Sequence, residues 1–157
     1  MLSHTPNLRR NHGFTLIELM TVVAILSLIS IVAVPAYLNY ARKAKRTDAV
    51  TLLQEAASKQ ERYYTTNNSY AKSMSQLGYS SDPVSTSSKA YTVSVTNVTP
   101  AGCTGLAGAN ACFTYTLTAA PVGSQGNDDC GSFTLNYLGT KGLQGNSPSV
   151  TVQDCWR

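Results

Sequence analysis

From Phe14 to Ala41 the chain is apolar almost without interruption, and from Leu19 to Ala41 it carries no charged side chain. That run exceeds the roughly 20 residues needed to cross a bilayer as a helix. A basic cluster follows at Arg42, Lys43, Lys45 and Arg46. Past it the pattern changes. Val50, Leu53, Ala57 and Tyr64 recur at spacings that share one face of a helix, with Leu52, Ala56 and Tyr63 beside them. Lys59, Glu61 and Arg62 fall mostly elsewhere. The pattern predicts one long helix through Tyr64, with an apolar first half and an amphipathic second half that needs a covering layer. Pro35 lacks an N–H and crowds the carbonyl of Ile31, so it marks a kink or a point where the helix can extend.

Thr65-Thr66-Asn67-Asn68-Ser69 ends the helix and opens a polar loop through about Ala90. Period-two alternation then sets in. Tyr91, Val93 and Val95 alternate with Thr92, Ser94 and Thr96; Phe113, Tyr115 and Leu117 alternate with Thr114, Thr116 and Thr118; a third run holds Phe133, Leu135 and Tyr137. These runs predict an antiparallel sheet of three or four strands, with Ser149–Gln153 as a candidate last strand. The expected fold is α+β, a long N-terminal helix packed on a small sheet.

Glu18 changes the picture of the apolar run. An unpaired carboxylate in hydrocarbon costs several kcal/mol, so a membrane segment that carries one ordinarily uses it. A secretory signal would place its n-region at Arg9 and Arg10 and a cut near Val34-Pro35-Ala36, but the apolar core is too long and holds an acid. A plain anchor explains everything except Glu18.

Formal net charge is +4, of which Arg9 and Arg10 supply two before the apolar run begins. Counted alone, the four basic residues beyond the span would place the C-terminal part in the cytoplasm. Large domains translocate with little regard to flanking charge, and four cysteines in a small domain point to an oxidising compartment. The two histidines, His4 and His12, precede the apolar run, which removes Ser-His and Cys-His catalysis from the rest of the chain. No enzyme activity and no cofactor are expected. No two cysteines are spaced as C-x-x-C, which argues against a zinc site. Asp128-Asp129 sits in a Gly-Asn-rich loop and reads as a solvated pair.

The stretch Gly13-Phe14-Thr15-Leu16-Ile17-Glu18-Leu19-Met20 resembles the class III signal of type IV pilins and type II secretion pseudopilins. The likeness continues through Tyr37–Ala49 and into Gln60-Glu61-Arg62-Tyr63-Tyr64 and Asn68-Ser69-Tyr70, where it is most similar to PilE-type minor pilins of Gram-negative bacteria. The resemblance implies a leader at 1–13, a transmembrane and filament-core helix at 14–38, an amphipathic helix half at 39–64 and a periplasmic head at 65–157. It implies cleavage between Gly13 and Phe14 by the prepilin peptidase, N-methylation of Phe14, and a subunit-assembly role for Glu18. Other partners it implies are pilin subunits, the inner-membrane assembly machinery, and lipid before assembly. The chain would be a single-pass inner-membrane protein and then part of an extracellular pilus.

Cys103, Cys112, Cys130 and Cys155 allow three pairings. Sequential pairing is expected: Cys103 with Cys112 across a Gly-rich turn, and Cys130 with Cys155 as a C-terminal disulfide loop that resembles that of type IVa pilins. The functional expectation is a minor pilin supporting pilus assembly, twitching motility and adhesion. Alternatives are a major pilin, a secretion pseudopilin, and a DNA-binding pilin. For the last, the scattered Lys72, Lys89, Lys141 and Arg157 are poor candidates for contacting nucleic acid.

Overall fold

The computed structural model describes residues 13–156. The expectations that rest on residues 1–12 and on Arg157, including the leader, its histidines and Arg9 and Arg10, lie outside the described residues. The chain divides after Asn39 into two compact units.

Helix α1 runs Leu16–Asn67, three residues beyond the expected end, and passes through Pro35 without a break. Thr15 starts it: its side-chain oxygen accepts from the Glu18 N–H at 3.3 Å, and its carbonyl accepts from the Leu19 N–H. Threonine three residues before glutamate is an N-terminal helix signature. In the first unit every described residue is exposed, Phe14 at 82 % and Leu16 at 77 % among them. Apolar residues cover the helix all round, the composition of a segment meant for lipid or for other helices. Among the described residues this one helix is long and apolar enough to cross a membrane.

The second unit holds the core. Its sheet has five strands: β1 (Val84–Ser85), β2 (Tyr91–Thr99), β3 (Thr114–Pro121), β4 (Ser132–Asn136) and β5 (Lys141–Gln144). They pair antiparallel in chain order, a simple meander. One row across it, Val84, Val93, Ala119, Phe133 and Leu143, supplies the inner face. That face meets Ala49, Leu53 and Ala56 of α1 in one apolar cluster.

The buried stripe of α1 is Ala49, Leu53, Ala56 and Gln60, whereas Val50, Leu52, Ala57 and Tyr63 flank it half-buried and Tyr64 is exposed. The expected stripe through Val50, Ala57 and Tyr64 is therefore rotated by about one residue. Gln60 takes a core position because its amide replaces a strand neighbour: Nε2 donates to the Ala71 carbonyl and Oε1 accepts from the Ala71 N–H, both at 2.9 Å. With both groups satisfied, the cost of burying the amide is largely offset.

The sheet differs from expectation at its ends. Two short strands, β1 and β5, extend it, and Ser149–Gln153 is not a strand. Instead Thr151 caps a short helix α2 (Val152–Cys155) in a capping box with Asp154. After α2, the Trp156 ring meets Phe133 edge-on at 5.6 Å and its indole N–H donates to the Gly142 carbonyl of edge strand β5. Covering an edge carbonyl in this way blunts an otherwise open sheet edge.

Candidate functional site

At the start of α1 the Glu18 backbone N–H is satisfied by Thr15, but the Glu18 carboxylate has no hydrogen bond or ion pair among the described residues. It sits in the first turn, where the helix dipole favours a negative charge. Around it lie exposed Leu16, Ile17, Leu19 and Met20. The arrangement is an acid on the apolar first part of α1, four positions beyond Phe14. Among the described residues, no heavy atom lies within 4 Å of where a Cβ on Gly13 would stand.

The basic cluster is not uniform. Arg42 and Lys43 are exposed, but Arg46 turns into the head. Its Nε and Nη2 donate to the two carboxylate oxygens of Asp128 at 2.9 and 2.6 Å. Asp128 also accepts from the Cys130 N–H at 2.9 Å and from Gln125 Nε2. The Asp128 side chain is 0 % exposed and that of Arg46 is 23 % exposed. Burial alone would raise the Asp128 carboxyl, but the Arg46 hydrogen bonds and charge, with the Cys130 N–H and Gln125, hold it below the usual carboxylate range. The bond to Asp128 in turn raises Arg46. Burial pushes the nearby Tyr91 hydroxyl up to about 12. Asp128 is therefore not a solvated loop acid, as its Gly-Asn surroundings suggested. The signal that hydropathy misses is a polar centre built from positions far apart in sequence.

Two disulfides frame the head, Cys103–Cys112 with Cα atoms 5.2 Å apart and Cys130–Cys155 with 5.8 Å. The first closes the Gly-rich loop that Tyr63 and Gln76 hold by bonds to the Gly105 and Thr104 carbonyls. The second ties α2 to the turn that begins with Asp128 and Asp129. Among the described residues no group of acids, histidines and cysteines could hold a metal ion. Pro35 lies within α1 and touches neither the collar nor the disulfides in sequence.

A long helix, apolar and exposed in its first half with an acid in its first turn, followed by a disulfide-bonded antiparallel sheet, defines the class of fold. Residues 35–134 match the family model described as type IV minor pilin ComP, DNA uptake sequence receptor, and residues 8–34 match the prokaryotic N-terminal methylation motif. The chain belongs to the type IV pilin family, whose members are structural and non-catalytic. It is 66 % identical over 44 residues to the type IV pilus subunit protein TapA of Aeromonas hydrophila, covering 28 % of this chain and 31 % of that one. It is 35 % identical over 71 residues to the type IV major pilin protein PilE1 of Neisseria gonorrhoeae, covering 45 % and 43 %. It is 32 % identical over 70 residues to the type IV major pilin protein PilA of Myxococcus xanthus, covering 45 % and 32 %. The matched stretches thus span under half of each of these relatives. A solved type IV pilin from Shewanella oneidensis is similar at 26 % identity with a TM-score of 0.46, over 74 % of this chain and 98 % of that one.

Proposed function

We propose that this chain is a minor pilin that enters type IV pili at low level and supports their assembly, and through them twitching motility and adhesion. The Glu18 carboxylate, without a partner among the described residues and on the apolar, exposed first part of α1, carries the filament part of this reading. The minor grade is supported by the family model, whose description is of a minor pilin.

In this reading the chain first sits in the inner membrane with its head in the periplasm. Prepilin peptidase cuts between Gly13 and Phe14, and the new Phe14 amine is methylated. The assembly machinery then moves the helix from lipid into a core of neighbouring pilin helices. There the Glu18 of an incoming subunit meets the Phe14 amine of a neighbour, so that two charges costly in a dry setting satisfy each other. Pro35 is where the helix yields during packing. Gly13→Val should leave the leader attached, read by mass spectrometry of membranes. Deleting the gene should reduce surface pili under the microscope.

Two other readings have specific support. Several named relatives are major pilins, which favours a principal subunit. Abundance in sheared pili decides between the grades. The family model's description names a DNA uptake sequence receptor, and DNA affinity that falls steeply with added salt would favour that role.

A further inference from the structure

Glu61 stands on the exposed side of α1 and, with Ser58, Tyr115, Asn136 and Tyr137, lines a cleft of about 330 Å3. Tyr70 donates its hydroxyl to Glu61 Oε2 at 3.5 Å. The rings of Tyr64, Tyr70 and Tyr115 run in series, with centroids 4.6 and 4.8 Å apart. Burial first, and then the Glu61 charge, push the Tyr70 and Tyr115 hydroxyls up, so both stay protonated. No cation answers this carboxylate. The ion pairs among the described residues are Arg46 with Asp128 and Lys59 with Glu55, and Lys59 is further held over the Tyr79 ring. Aromatic rings beside a carboxylate that no cation among the described residues pairs form a seat for an ammonium or guanidinium group and repel phosphate. On the same helix, Arg42 and Lys43 are exposed and unpaired.

We propose that this cleft receives a lysine or arginine side chain from the basic collar of an adjacent pilin subunit. The collar of this chain illustrates the fit: Lys43 lies about 27 Å along the helix from Glu61, so a neighbouring parallel helix staggered by that distance brings a like-placed cation to the cleft. The contact is a second, charge-based register between heads and collars, separate from the one at Glu18. It rests on the filament reading above.

The test is carbodiimide treatment, with a small added amine, of intact sheared pili and of the membrane fraction, both from the wild-type strain. Glu61 should take up the amine in membranes. In pili it should be protected from the amine, and where the occupant is a lysine its peptide should be joined to that lysine, Lys43 where the neighbour is a second copy. Glu61→Gln should be processed normally, and its share in pili should fall roughly twofold to fivefold, the worth of one partly exposed ion pair. Equal amine uptake in pili and membranes, or an unchanged share for Glu61→Gln, overturns the interface. Absence of the wild-type chain from pili overturns the filament reading as well, which separates the two failures.

Discussion

Arg46 and Asp128, 82 positions apart, form the one two-pronged ion pair among the described residues, and it joins α1 to the turn that carries Cys130. The pair converts part of the collar from a charged surface into an internal clamp. Removing one partner of a buried pair leaves the other charge stranded, which costs more than the pair contributes. Arg46→Ala should therefore destabilise the head by about 2–3 kcal/mol, less than for a wholly buried pair because Arg46 keeps some solvent contact. Urea unfolding of the full chain in detergent, followed by near-ultraviolet circular dichroism, measures it. A change within about 0.5 kcal/mol would show the clamp to be idle.

The same pair sets an acid dependence. Asp128 has a carboxyl held below its unfolded value, near 3.9. A depressed carboxyl contributes stability above the unfolded value and loses it as pH falls through the folded one. Stability of the wild-type head should thus decline below about pH 4, and Asp128→Asn should flatten that decline while lowering stability at neutral pH. An unaltered acid limb in Asp128→Asn would remove Asp128 as its cause.

Gly131 is the position where a side chain is least tolerable. Its φ is +58°, and an added Cβ would stand 2.4 Å from the Gln144 carbonyl oxygen and 2.9 Å from the Asn146 nitrogen, backbone that cannot swing away. Gly131→Ala should cost about 2 kcal/mol or more, combining the left-handed penalty with the clash. Thermal unfolding beside Gly139→Ala, which shares the positive φ but meets no atom, separates the two contributions.

Replacing Cys130 and Cys155 together by Ser should destabilise the head by about 3 kcal/mol through loss of loop closure. It should also free Trp156 from the β5 edge, since α2 is short and exposed apart from Cys155 and half-buried Val152. Faster amide exchange confined to Lys141–Gln144 and the tail would register this, and unchanged exchange there would mean that Trp156 holds without the bridge.

The long helix, the alternating core strands and the punctuation between them are legible in the sequence because each follows from local periodicity. Four features are not. Gln60 reads as a surface residue, and only its two bonds to Ala71 make it a core one. Lys141–Gln144 has little alternation, and its place as β5 depends on Gly142, whose missing side chain makes room for Thr134 on the neighbouring strand. Val150 and Val152 suggest a strand, but Thr151 and Asp154 cap each other and wind the segment into α2. Asp128 belongs with these, because its partners arrive from α1 and β2. The N-terminal turn is the converse case: Thr15 and Glu18 form a visible helix-start signature, so the backbone role of Thr15 was readable beside the charge of Glu18.

The central claim is that the Glu18 carboxylate serves assembly between subunits and not its own helix end. The decisive measurement is the ratio of Glu18→Ala in sheared pili to that in the membrane fraction, set against wild type in the same strain. Pairing between subunits predicts a protein that is inserted and processed normally yet is depleted from pili by about tenfold or more, the cost of leaving one charge unanswered in a dry core. A wild-type ratio for Glu18→Ala, with processing intact, would contradict the account and reduce Glu18 to a cap on its own helix.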